Sequence, residues 1–121
     1  MASNDGRTGG STGNNLGPLH DLELAILMVL LERDAHAYAI VSELEQRVPG
    51  RRIYPANLYR RLSDMVDAGY LAEVPVPEEA DVRRRRYYRV TARGRQAARA
   101  EAQRLERVVE DARQLGLLRS R

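Results

Sequence analysis

The segment Ile53-Tyr-Pro-Ala-Asn-Leu-Tyr-Arg-Arg-Leu-Ser-Asp-Met-Val-Asp-Ala-Gly-Tyr-Leu71 constrains the fold more than any other part of the chain. Leu58, Leu62, Met65 and Val66 follow the spacing of an amphipathic helix with a single buried stripe. At about 100° per residue, Asn57 and Arg60 fall far from that stripe, while Tyr59 and Arg61 flank it. Pro55 suits the first helical turn, where its missing N–H leaves no bond unmade. Gly69 stops the helix, and a strand-like run begins. The helix must therefore pack along its stripe and present a polar front.

Its flanks say what that front is for. Residues 37–47 predict a preceding helix with Ala39, Ile40 and Leu44 on one face, and Val48-Pro-Gly-Arg-Arg52 breaks it. Helix, short break, helix is the helix-turn-helix arrangement. After Gly69, residues 70–76 read as a strand, 77–82 as a loop and 84–91 as the returning strand. The stretch Arg83-Arg-Arg-Arg-Tyr-Tyr-Arg-Val-Thr91 is rich in arginine. A polar-fronted helix followed by such a hairpin is what a winged-helix DNA reader needs: the helix enters the major groove, and the hairpin reaches phosphates or the neighbouring minor groove.

Charge supports this through its placement. The 20 basic residues are all arginine, and the net charge of +3 is too small to establish nucleic-acid binding. Yet residues 83–107 hold ten arginines against Glu101 and Glu106, and residues 51–61 hold four arginines and no acid. Residues 21–45 are acidic, relieved only by Arg33.

Two other helices ask for a partner. Residues 22–33 are apolar nearly all round, so every side of that helix must be buried, one of them by a second subunit. Asp21 and Pro18 supply its start signals. Thr91 is a credible N-cap for a last helix running from Ala92 to about Leu115. Along it Ala98, Ala102, Leu105, Val109 and Ala112 alternate +4 and +3, with Val108 and Leu115 beside them, a coiled-coil seam of about two heptads. The fold class expected is mainly α with a small β-hairpin: a disordered tail over 1–18, a winged helix-turn-helix over 19–91 and a dimerisation helix over 92–121. No signal peptide is visible, and the ten-residue apolar run at 22–31 contains Glu23 and cannot span a bilayer. The reading is a cytoplasmic protein with no membrane association. The chain has no Cys, hence no disulfide and no thiolate metal site, and no cofactor is expected.

Taken together, His36-Ala-Tyr-Ala-Ile40, Pro55-Ala-Asn-Leu-Tyr-Arg-Arg-Leu62 with Gly69-Tyr-Leu71, and Arg85-Arg-Tyr-Tyr-Arg-Val-Thr91 with Gly94 resemble, in order and spacing, a PadR-type transcriptional regulator of the short subgroup. The resemblance covers residues 19–118. It implies a homodimeric winged-helix protein on a pseudo-palindromic double-stranded DNA operator, usually a repressor relieved by a small ligand, with dimerisation through the C-terminal helix. Ala37, Ala56 and Asn57 depart from the family's Gly, Gly and Thr. Glu78, Glu79 and Asp81 stand where a Gly/Pro wing turn is usual; at a wing tip they repel phosphate, which leaves the arginines from Arg83 onward to act at the wing's base.

The DNA-facing candidates are Tyr38, Arg51, Arg52, Tyr54, Asn57, Tyr59, Arg60, Arg61, Arg84 and Arg86. The dimerisation candidates are Leu22, Ile26, Leu105, Val108, Val109, Ala112 and Leu115. One of Tyr87 and Tyr88 must point inward. His20 and His36 are too few for a metal site or a catalytic pair, and His36 reads as a helix-start or core contact. No Gly-rich phosphate loop and no Ser-His-Asp order is present, so the chain is not read as an enzyme. With six Tyr and neither Trp nor Phe, an aromatic sandwich for a flat effector is hard to build; Tyr38 and Tyr70 line a small cavity or simply pack. Two alternatives stay open: a MarR-like or ArsR-like regulator, and a winged-helix protein-interaction module that binds no DNA.

Overall fold

The computed structural model describes residues 19–47, 50, 52–77 and 86–119. The expected tail, residues 1–18, lies outside them. The element order is α1 (Asp21–Glu32), β1 (Ala35–His36), α2 (Ala37–Arg47), α3 (Pro55–Asp67), β2 (Leu71–Val74), β3 (Tyr87–Val90) and α4 (Ala92–Gln114). The four helices fall within one or two residues of the bounds expected from periodicity. The β2 and β3 strands are shorter than expected, and Tyr70 closes the turn after α3 instead of opening a strand.

The expected hairpin is present, and a short third strand joins it: the sheet order is β1-β3-β2. Antiparallel pairs Leu71↔Val90 through Val74↔Tyr87 form the hairpin, and Ala35↔Tyr88 and His36↔Tyr87 add the third strand. Two residues show no alternation, so only the pairing with β3 makes β1 a strand.

The core lies where the four helices meet the sheet. Ile26, Leu27, Ile40, Leu58, Leu62, Met65 and Leu71 are its largest fully enclosed side chains, each burial stabilising the fold by about 1.5–3 kcal/mol. Tyr88 is the inward tyrosine; Tyr87 is half-buried with its ring edge-on to His36 at 5.3 Å. His36 Nδ1 accepts from the Ala39 N–H at 3.1 Å, a helix-start role for this residue.

Helix α1 is not enclosed on every side within the chain. Met28 is 49% exposed, and Leu22, Leu24, Ala25 and Leu31 are only partly covered. Ile26, expected at a subunit contact, has no exposed area. It points into the core between α1 and its own neighbours and is a packing residue. At its start His20 N–H donates to Glu23 at 3.0 Å.

Candidate nucleic-acid interface

Local sequence sets the pose of α3. Pro55 occupies its first turn, and the N–H groups of Asn57 and Leu58 donate to the Tyr54 carbonyl at 3.0 and 3.1 Å. The approach to it is fixed by Glu45 of α2, whose carboxylate accepts from the Ile53 N–H at 3.0 Å. At the far end Gly69 adopts φ +86°, and Tyr70 N–H and Gly69 N–H donate back to Met65 and Val66. That is a Schellman stop, which an L side chain at Gly69 would strain.

The stop is also a joint. Three consecutive carbonyls after α3 are held by the first turn of α4: Ala68 accepts from Arg93 Nε at 3.1 Å, Gly69 from Thr91 Oγ1 at 2.6 Å, and Tyr70 from Thr91 N–H at 3.0 Å. The Thr91 hydroxyl in turn caps α4 by accepting from Gly94 N–H at 3.0 Å. Gly94 is required by proximity: a Cβ there would lie 2.2 Å from the Tyr70 carbonyl oxygen. Tyr70 itself is buried under the Arg93 guanidinium, 5.8 Å from its ring centre, which makes it packing rather than a cavity wall.

With α3 fixed at both ends, its stripe of Leu58, Leu62 and Met65 is buried, and Asn57, Tyr59 and Arg60 are exposed. There is no acid in its first turn. Tyr38 at the start of α2 and Tyr54 at the head of α3 are also exposed, as are Arg52 and Arg86. Burial pushes the Tyr88 phenol upward, and Arg86 at the wing's base reaches Glu73 of β2 at 3.9 Å. Asn57, Arg60, Arg61, Asp64 and Leu22 line a groove of about 390 Å³. Arg51, Arg84 and the wing residues Glu78, Glu79, Asp81, Arg83 and Arg85 lie outside the described residues.

Not every arginine of the basic segments is free. Arg61 leans back to Glu23 of α1 at 3.6 Å. Arg89 makes a two-oxygen contact with Asp34 at 2.7–3.2 Å, which holds its guanidinium charged and turned to the α1–β1 connection. Glu23, Asp34 and Glu45 are residues that sequence reasoning does not single out. Their one signal is the acidic block at 21–45, which supplies internal partners for the arginines.

The expected seam lies on α4. Leu105, Val109 and Ala112 are half-buried, Val108 is 50% exposed and Leu115 76% exposed. Leu22 lines the groove beside α3. Among the described residues no helix is long and apolar enough to cross a membrane.

A helix-turn-helix with a three-stranded wing base and a trailing helix defines a winged helix-turn-helix protein. The chain belongs to the transcriptional regulator PadR-like family, whose model matches residues 26–100. No curated protein sequence matches it. Among solved structures it is similar to a PadR family transcription regulator from Clostridium difficile, at a TM-score of 0.70 and 19% identity over 79% of this chain and 98% of that one. A PadR-like transcriptional regulator from Bacillus cereus gives 0.68 and 18% identity over 78% and 89%. Bacillus subtilis PadR in complex with operator DNA gives 0.58 and 20% identity over 69% and 46%.

Proposed function

We propose that this regulator binds duplex DNA as a two-fold dimer and represses by occupying an operator. The observation that carries the reading is α3: it is clamped at both ends, buried on one stripe, and fronted by exposed Asn57, Tyr59 and Arg60 with no acid in its first turn. A helix held this way fits the major groove, where it is read at the N-terminal end. Arg52, Tyr54 and Tyr38 flank that end, and Arg86 serves phosphates from the wing's base. Arg51 and Arg84 extend the same two groups in sequence. Family membership and the Bacillus subtilis PadR–operator complex support the reading.

Two copies joined through the seam on α4 and the exposed Met28 of α1 place two recognition helices about 34–36 Å apart, one DNA turn, so the operator is pseudo-palindromic. The test is a gel shift on the DNA upstream of the protein's own gene at two salt concentrations. Log affinity should fall by roughly 0.9 per phosphate neutralised for each unit of log salt. Unchanged affinity on replacing Arg60 and Arg61 together by Ala removes α3 as the DNA-reading element.

A further inference from the structure

The two adjacent arginines of α3 have different fates. Arg61 is tethered to Glu23 at 3.6 Å, beside the body of the protein. Arg60 is exposed and has no side-chain partner among the described residues, although Asp64 stands one turn away at i+4. Asn57, one turn before Arg60, is exposed and equally unpartnered among those residues. The buried stripe of Leu58, Leu62 and Met65 fixes the orientation: Arg60 points about 180° away from it, and Asn57 lies at the edge of the same outward face. In a helix lying along a groove, the face opposite the core meets the floor, where base edges are, and the flanks meet the phosphates.

Chemistry then separates the bases. A guanidinium fork matches the two acceptors of guanine, O6 and N7, while a carboxamide matches the acceptor and donor of adenine, N7 and N6. Three residues of helix cover about 4.5 Å, close to the roughly 3.4 Å step between base pairs. We propose that Arg60 reads a guanine and Asn57 an adenine on the adjoining base pair, and that these two contacts set the base preference of each half-site. The proposal rests on the assignment of α3 as the recognition helix. Arg61 then has a separate role. Held by Glu23 at the flank, it serves the backbone and carries no sequence information.

The experiment is selection from a random-duplex pool with the full chain, comparing wild type with Arg60→Ala, Arg60→Lys and Asn57→Ala. Wild type should enrich a site with an adjacent guanine and adenine in each half. Arg60→Ala should lose the guanine preference, Asn57→Ala the adenine preference, and each should bind the wild-type site about 5- to 150-fold more weakly. The alanine variant is decisive, because it removes every donor at that position. Arg60→Lys, which keeps the charge and can still donate to O6 and N7 but not as a planar fork, should weaken the guanine preference while keeping the wild-type salt dependence. If Arg60→Ala keeps the guanine preference, weakens all sequences alike and lowers the salt slope by about one, Arg60 is a phosphate contact and the assignment falls. Enrichment by wild type with a profile unchanged in the variants overturns the assignment but leaves α3 open to another face. No enrichment by wild type overturns the recognition-helix reading itself.

Discussion

The first half of α4 buries Gly94, Ala97, Ala98 and Glu101 inside its own chain, whereas from Leu105 onward its apolar residues are half-buried or exposed, and Leu115, just past its end, is 76% exposed. Both halves carry alanine, leucine or valine at helical spacing, so patterning alone does not distinguish them. What differs is the surroundings. The first half meets α1, β3 and the joint after α3; the second runs past the end of that body, and a 23-residue helix is about 35 Å long. The chain thus completes its helix-turn-helix by itself and leaves the second half of α4 only partly covered, together with Met28 of α1. On the dimer reading, the first half belongs to folding and the second to assembly.

The sharpest way to break this contrast is one charge in each half. Ala98→Glu puts an unpaired carboxylate into the chain's own core, costing several kcal/mol, and should abolish the cooperative unfolding transition. Val108→Glu puts the same charge on an exposed position and should leave helicity by circular dichroism intact. It should nonetheless sediment as a monomer at micromolar concentration. Operator affinity should then fall by about 100-fold or more, since the second half-site is no longer engaged with the first. Leu105→Glu and Val109→Glu test the half-buried part of the seam in the same way. A Val108→Glu chain that stays dimeric would erase the distinction, and a well-folded wild-type monomer would remove the palindrome with it.

Within the first half, the next effect belongs to Gly94. A methyl group 2.2 Å from the Tyr70 carbonyl oxygen cannot be accommodated without shifting α4 or the turn after α3. Gly94→Ala should lower stability by about 1–3 kcal/mol, the usual cost of overpacking, read as a lower urea midpoint. An unchanged midpoint would mean that α4 is not held against that turn. Thr91→Ala should cost about 1 kcal/mol through the lost cap, and Thr91→Ser, which keeps the hydroxyl, should restore most of it.

How much of the molecule is legible in its sequence depends on whether a residue's partner lies near it along the chain. Helix α3 can be bounded because Pro55, the Leu58/Leu62/Met65 stripe and Gly69 are local signals, and the Thr91 cap needs only Gly94 three residues on. Strand β1 exists only through Tyr87 and Tyr88, more than fifty residues away, and two residues carry no period of their own. The same limit applies to the site. Asn57, Tyr59 and Arg60 follow from helical geometry, but that Arg61 and Arg89 are engaged by Glu23 and Asp34 follows only from tertiary placement. Ile26 shows the converse: an apolar helix implies cover, but not whether the cover is the chain itself or a partner.

Glu101 gives the smallest effect and the finest test of what the first half of α4 does. In sequence it is one acid among arginines, yet it is 5% exposed. Arg104, one turn on, donates to it through Nε at 3.0 Å, and the backbone of Leu19, just ahead of α1, adds a smaller stabilisation of the charged form. The hydrogen bond from Arg104, outweighing burial, holds the carboxyl below its ordinary value of 4.5. A carboxyl whose folded value is depressed adds stability that is complete above the unfolded value and lost as pH falls through the folded one. Glu101→Gln removes that contribution. The gap in urea midpoint between wild type and Glu101→Gln should therefore be constant above pH 4.5 and close as pH drops below it. A gap that persists unchanged into strong acid would show that Glu101 acts by packing alone. A gap absent at neutral pH would mean that the link between α4 and the start of α1 adds nothing to the folded chain, and that the first half of α4 is held by its alanines and Gly94.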